Sequence, residues 1–330
     1  MKRISLIVPC HNESQGVTAF IEAVSTVIQS LPAYHFDLIL IDDGSRDQTV
    51  PRIMEALRDH PWITLLELTR NFGKEAALSA GLDVARGDAL IFLDADLQHP
   101  PQLIDEFLRH WQAGARVVAG RRRSRETDGG LYRWLAISFY RLHNRLSDMR
   151  LPENVGDFRL IDRTVADQLR SLRETQRFMK GLFAWVGYEP VLVDYEVEPR
   201  RQGQTKFNKW RSWNLALEGI TSFSTMPLRV WTYVGAFLLM IGVVYALFII
   251  VRTLIYGIDA PGYVTLLTAL ISFGGVQLIG MGVLGEYVGR IYLEVKDRPL
   301  YLVKSMTSGQ EPPDEPSVLD GGLEKSPRAL

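Results

Sequence analysis

Two aspartates, Asp94 and Asp96, stand directly after the apolar run at 89–93 and shortly before Pro100 and Pro101. A short unbroken apolar run is what a strand buried on both faces of a parallel sheet requires. The prolines forbid simple continuation of the strand, so the carboxylates belong on the loop at its carboxyl end. Neighbouring carboxylates repel unless positive charge lies between them. A hard divalent cation held through oxygen, its shell completed by phosphate and water, supplies that charge, and Gln98 can add a carbonyl oxygen. Taken alone, an Asp-x-Asp fits a solvated acidic turn equally well.

Other chemistry-bearing residues keep it company. Asp42-Asp43-Gly44-Ser45 closes a second apolar run. Either aspartate could accept from a ribose hydroxyl or a base edge, although Asp-Gly is also a turn signal. Lys74, following Gly73 at the start of a helical pattern, is placed to meet a phosphate with help from the helix N-terminus, or is a solvated lysine. Arg121, Arg122, Arg123 and Arg125 form a basic run whose guanidinium forks match phosphate oxygens and would also suit a membrane surface. Asp157 and Arg159 put an acid and a base into a buried-looking pattern at 155–160, as a site pair or a structural ion pair. The basic loop at 200–206 precedes Trp210 and Trp213. Such rings anchor at a membrane interface, where a cationic loop can hold a phosphate whose tail lies in lipid.

These residues need elements to position them. Apolar runs at 4–8, 36–41, 64–68, 89–93 and 116–119 alternate with helical patterns at 16–30, 47–57, 74–85 and 102–112. That alternation predicts an α/β domain over 1–208 with a doubly wound, mostly parallel sheet. Three runs end in polar or acidic clusters, at 9–13, 42–45 and 94–98. In such a sheet the three ends converge on one crevice at the carboxyl edge of the strands.

The chain has 330 residues and a net charge of −1, a balance that gives no reason to expect nucleic acid. Its one cysteine, Cys10, excludes an internal disulfide. Residues 230–251 and 263–284 carry no charge, and each stretch is long enough to cross a bilayer as a helix. The expected organisation is an amphipathic juxtamembrane helix at 209–229, transmembrane helices at 230–252 and 263–285, a cytoplasmic segment at 286–304 and a disordered tail at 305–330. Basic residues flank the pair on its outer ends, whereas the connector offers only Arg252, so both termini and the large domain are expected on the cytoplasmic side. Gly280-Met281-Gly282-Val283-Leu284-Gly285 mimics a dinucleotide fingerprint but lacks a preceding strand; small residues there suit helix packing in a homo-oligomer.

The ordered set Val8-Pro9-Cys10-His11-Asn12-Glu13, Asp42-Asp43-Gly44-Ser45, Asn71-Phe72-Gly73-Lys74, Asp94-Ala95-Asp96-Leu97-Gln98-His99-Pro100, Gly156-Asp157-Phe158-Arg159-Leu160 and 200–206 resembles family 2 inverting glycosyltransferases with a GT-A fold. Within them it is similar to the polyprenyl-phosphate glycosyltransferases, including bactoprenol glucosyltransferases with two C-terminal membrane helices. The likeness runs from residue 4 to about 304. It implies that Pro9, His11, Glu13, Ile41, Asp42, Asp43, Lys74, Asp94, Ala95 and Arg121 bind the nucleotide sugar. It also implies that Asp94, Asp96 and Gln98 hold Mg²⁺ or Mn²⁺, with Asp96 and Asp157 at the catalytic centre. Arg200, Thr205 and Lys206 would contact the diphosphate or the acceptor phosphate. The implied reaction is inverting transfer of a hexose to undecaprenyl phosphate on the cytoplasmic face of a bacterial inner membrane, for cell-envelope or O-antigen modification. UDP-glucose is the preferred donor, with UDP-N-acetylglucosamine, GDP-mannose or a modified pentose as alternatives. His11 stands where the family often has tyrosine, and Thr205 where it often has serine.

Competing classes fit less well. A processive polysaccharide synthase should have more spans and a Gln-x-x-Arg-Trp motif, and neither is found. A vestigial scaffold should have lost a metal carboxylate. A dinucleotide oxidoreductase should carry a Gly-rich fingerprint after the first strand.

Overall fold

The computed structural model describes residues 1–123, 155–172, 174, 177, 179–196, 226–257 and 262–309. Its centre is a parallel set of apolar strands, β1 (Lys2–Cys10), β2 (Tyr34–Asp42), β3 (Ile63–Leu68) and β4 (Ala89–Phe92). The helices α1 (Val17–Ser30), α2 (Thr49–Asp59) and α3 (Lys74–Val84) connect them, and α4 (Leu103–Gln112) leads on to β5 (Val117–Arg122). Side chains alternate across the sheet, so Leu6 and Val8 join Phe20, Ile53 and Phe107 on one face while Ile7 joins Ala77 and Leu82 on the other. Helices therefore cover both faces, as the unbroken apolar runs require.

Then the direction changes. Strand β6 (Val155–Asp162) runs antiparallel between β4 and β5 and is followed by α5 (Arg163–Ser171), α6 (Met179–Trp185) and β7 (Val191–Tyr195). The eight-stranded sheet has the order β7-β5-β6-β4-β1-β2-β3-β8, where β8 is Val303–Ser308. The mostly parallel, doubly wound expectation holds, with β6 and β8 as antiparallel members.

Two glycines set close approaches. A Cβ on Gly81 would lie 2.8 Å from Ile41 Cδ1, so its absence lets α3 pack tightly on β1 and β2. Gly44 has φ +65°, and a Cβ there would meet the Asn71 nitrogen at 2.6 Å; the turn after β2 thus touches the loop that starts α3.

The expected tail at 305–330 needs correction, because residues 305–308 belong to β8 and pair antiparallel with β3. Glu67 accepts from Lys304 Nζ at 2.9 Å and from Ser305 Oγ at 2.7 Å, and the Thr69 amide donates to Leu302 O at 2.9 Å. An edge strand with one solvated face reads as polar tail because only alternate residues are half-buried.

Between β7 and β8 stand two helices, α7 (Met226–Tyr256) and α8 (Tyr263–Val295), of 31 and 33 residues. Both overrun the expected spans of 230–252 and 263–285. Among the described residues no helix is long and apolar enough to cross a membrane, several side chains inside both helices being outside that set.

Candidate functional site

The carboxyl ends of β1 and β2 are stitched into one rim. The Asn12 amide donates to Ser45 Oγ at 2.9 Å, Asn12 Oδ1 accepts from the Arg46 amide at 2.9 Å, and the Glu13 amide donates to Thr49 Oγ1 at 2.9 Å. His11 Nδ1 donates to Asp43 O at 2.8 Å, which leaves Nε2 to accept from the Asn12 side-chain amide at 3.0 Å. Asp43 takes the Phe72 and Gly73 amides, one on each carboxylate oxygen, at 2.7 and 2.9 Å. Asp42 accepts from the Ser45 amide at 3.0 Å through Oδ2, while its buried Oδ1 has no protein donor. Of the two aspartates, Asp43 is thus committed to the scaffold and Asp42 keeps a free acceptor.

Lys74 is the first residue of α3. Its Nζ donates to Asp94 Oδ1 at 2.6 Å and to Asp157 Oδ2 at 2.9 Å. Register explains the meeting: β6 sets Arg159 opposite Phe92, so continuing the antiparallel pairing puts Asp157 beside Asp94 at the tip of β4. Partial desolvation would lower the Lys74 pKa, but the two carboxylates outweigh it and hold it above the ordinary lysine value. Burial would raise Asp157, and Lys74, then Lys180 and Arg159, outweigh that and hold its carboxyl well below the usual range. Asp157 is therefore an anion at neutral pH, and its buried Oδ1 has no protein donor.

Several supports lay outside the sequence reading. Glu75, next to Lys74, accepts from the Met179 amide at 3.0 Å; burial, then repulsion from Asp157, pushes its carboxyl up to about 7. A helix's first-turn acid ordinarily signals only favourable dipole interaction, so nothing in the residue pattern points to this role. His99 is 3% exposed, stacks on Phe158 at 5.1 Å and meets the edge of Tyr195 at 5.6 Å, bracing the loop that carries Asp94. Arg159 is buried with Nη2 on Gly156 O at 2.7 Å and its guanidinium 3.9 Å from the Phe183 ring centroid. Burial lowers it to about 10, and it serves to support the β6 end.

Not every expected residue faces the crevice. Ile41 is fully buried and packs toward α3, and Ala95 is 4% exposed within the core, so each offers a nucleotide its backbone rather than its side chain. Pro9 pairs with Ile41 and is half-buried at the rim. Arg121 forks onto Asp194 of β7, Nε to Oδ1 at 2.6 Å and Nη2 to Oδ2 at 2.9 Å, on the exposed side of the edge. Its neighbour Arg122 points to the other face, where its charge acts on His99 and Tyr195 together with Asp94 and Asp96. Among the described arginines of the basic run, Arg122 is the one whose charge acts on His99 and Tyr195. Arg200, Thr205, Lys206 and the juxtamembrane stretch at 209–225 lie outside the described residues.

Among the described residues no group of three or more His, Cys, Asp or Glu is gathered for a metal ion. The oxygen set on this loop nonetheless fits a hard cation that takes few protein ligands and completes its shell with phosphate and water. Asp94 already holds a positive group, the Lys74 ammonium. Asp96 Oδ1 folds the turn by accepting the Gln98 amide at 3.1 Å, with Leu97 at φ 57°.

A family model described as Glycosyl transferase family 2 matches residues 5–170, and one described as GtrB C-terminal hairpin matches residues 226–291. The SfII prophage-derived bactoprenol glucosyl transferase of Shigella flexneri is 48% identical over 307 residues, covering 93% of this chain and 99% of its own. An uncharacterized glycosyltransferase of Synechocystis sp. is 45% identical over 303 residues, covering 92% and 95%. Among solved structures, a glucosyl-3-phosphoglycerate synthase from Mycobacterium tuberculosis, crystallised with Mn²⁺, UDP and glucosyl-3-phosphoglycerate, shares 18% identity at a TM-score of 0.44, over 66% of this chain and 76% of that one.

Proposed function

Because the chain belongs to the family 2 glycosyltransferases, we propose that it transfers glucose from UDP-glucose to undecaprenyl phosphate at the cytoplasmic face of a bacterial inner membrane. The observation that carries this reading is the bridge by which Lys74 joins Asp94 at the tip of β4 to Asp157 of β6. The relative from Shigella flexneri, matched over nearly its whole length, supports glucose and a polyprenyl carrier.

The acceptor phosphate is already anionic at neutral pH, so its oxygen attacks the anomeric carbon without prior deprotonation. The C–O bond forms as the bond to the UDP oxygen breaks on the opposite side, which inverts the centre. Asp157, held as a carboxylate by Lys74, orients the sugar and stabilises the positive charge that develops at the anomeric carbon rather than taking a proton. Asp94 and Asp96, with Gln98, would hold Mg²⁺ or Mn²⁺, which supplies neutralisation of the leaving diphosphate. Lys74 and Arg122 add positive charge on the protein's side of the crevice. Asp42 Oδ1 is the acceptor available for a ribose hydroxyl. Arg200, Thr205 and Lys206 would contact the diphosphate or the acceptor phosphate.

Helices α7 and α8 form the membrane hairpin of this reading. At 1.5 Å per residue they measure about 46 and 50 Å, more than a hydrocarbon layer of about 30 Å. Phe237, Val244, Leu254, Leu278 and Ile279 stand exposed along them, apolar surface that lipid would cover. Open space beside Gly275, Gly282 and Gly289 supports close packing of a second helix in a homo-oligomer.

The test is to incubate membranes carrying the protein with undecaprenyl phosphate and a panel of labelled nucleotide sugars. Label from UDP-glucose should enter the lipid fraction; its entry only from UDP-N-acetylglucosamine, GDP-mannose or a pentose donor would replace the sugar assignment, and no lipid label from any donor would sink the reading.

A further inference from the structure

Lys74 occupies a position that a mobile cation would otherwise contest. Its ammonium contacts one oxygen of Asp94, an expected metal ligand, and one of Asp157, closing the gap between the two carboxylates. The backbone beneath it is fixed. Asp43 fastens the Phe72 and Gly73 amides, and Gly81 seats α3 directly against Ile7 and Ile41. Only the four-carbon stem of Lys74 is left to move, and with 42% of its side chain exposed it has solvent into which to swing. An ammonium and a divalent cation repel strongly at neighbouring sites in a partly desolvated crevice, so both cannot share Asp94 until further negative charge arrives.

We infer that Lys74 is a cationic placeholder: in the empty crevice it bridges Asp94 and Asp157 and keeps a divalent cation off Asp94, and it yields that oxygen only when a nucleoside diphosphate brings its own anionic oxygens. Metal and diphosphate then enter together, and the displaced ammonium finds its new partner on the diphosphate. The resting crevice is thereby kept free of adventitious cations, and the Asp157 carboxylate never faces Asp94 without a positive charge between them. This inference rests on the metal assignment of the proposed function.

The experiment uses the full chain in nanodiscs and Mn²⁺ itself as the probe, titrated by electron paramagnetic resonance with and without UDP. Without UDP, Lys74→Met should bind Mn²⁺ about tenfold more tightly than the unaltered protein, a change equivalent to about 1.4 kcal/mol. UDP should tighten Mn²⁺ binding much more in the unaltered protein than in Lys74→Met, and Lys74→Arg should stay as weak as the unaltered protein. Adding Asp94→Asn to Lys74→Met should erase the gain. Mn²⁺ should also raise the melting midpoint of Lys74→Met more than that of the unaltered protein, since the ion replaces the lost charge. Should Lys74→Met fail to fold, Lys74→Gln carries the same expectation. Equal or weaker nucleotide-free affinity in the folded variant overturns the placeholder while leaving sugar transfer by the unaltered protein as a separate measurement. No Mn²⁺ binding by the unaltered protein even with UDP overturns the metal assignment as well.

Discussion

Asp43 Oδ2 accepts the Gly73 amide at 2.9 Å, and its other oxygen takes the adjoining Phe72 amide at 2.7 Å. A residue that sequence likeness assigns to a nucleotide is here the clasp that aims the first turn of α3. Asp43→Ala should lower stability by about 2–4 kcal/mol, the loss of two charge-assisted hydrogen bonds in a buried setting, and transfer should fall with it. Denaturant unfolding measures the first effect. An unchanged unfolding midpoint with lost activity would return Asp43 to the role of a direct ligand.

Asp96 Oδ1 accepts the Gln98 amide at 3.1 Å, while the Lys74 ammonium bridges Asp94 and Asp157. Asp96→Ala should therefore cut transfer of label from UDP-glucose by about a hundredfold or more, as expected when charge neutralisation of a leaving group is lost, while the protein still inserts and melts near its usual temperature. Near-normal turnover would rule out the metal role.

Glu75 makes a pH prediction. Its folded-state carboxyl is raised from 4.5 to about 7, so between those values the folded protein retains a proton the unfolded chain has released. Stability should accordingly fall as pH rises through that window and remain lower above it. Glu75→Gln keeps an acceptor for the Met179 amide and removes the titration. The variant should match the unaltered protein at pH 4 and exceed it at pH 8 by up to about 3 kcal/mol. Parallel unfolding curves of the two proteins from pH 4 to 8 would contradict the placement of Glu75 beside Asp157.

Arg121 and Arg122 are adjacent yet face opposite ways, one onto exposed Asp194 and the other toward His99 and Tyr195. Arg122→Ala should reduce transfer at least tenfold more than Arg121→Ala does, about 1.4 kcal/mol of differential transition-state stabilisation. The reverse order, read from kcat/KM for UDP-glucose, would restore Arg121 to the site.

The parallel half of the sheet was legible because each strand there is buried on both faces and spells an uninterrupted apolar run, as at Ile4, Leu6, Ile7 and Val8. Strand β6 was not, since its first residues interleave the buried Phe158 with Asp157, which the crevice requires, and periodicity cannot separate that from an irregular loop. The Asp94 loop could be read from composition alone. The bridge from Lys74 to Asp157 could not, because it depends on an antiparallel register between strands distant in sequence. Arg122 was obscured by its neighbours: four arginines in five positions hide which one a strand turns inward until the strand is placed.

The two ends of the helical hairpin reach the sheet at opposite margins, after β7 on one side and through β8 on the other. With eight strands spaced about 4.8 Å apart, those attachments lie about 34 Å from each other. A catalytic body moored at both gunwales cannot pivot like one hung from a single tether. Only residues 296–302 separate the end of α8 from the start of β8. Lengthening 296–302 would slacken the tie between the helical pair and the β3 edge, and transfer should fall with it.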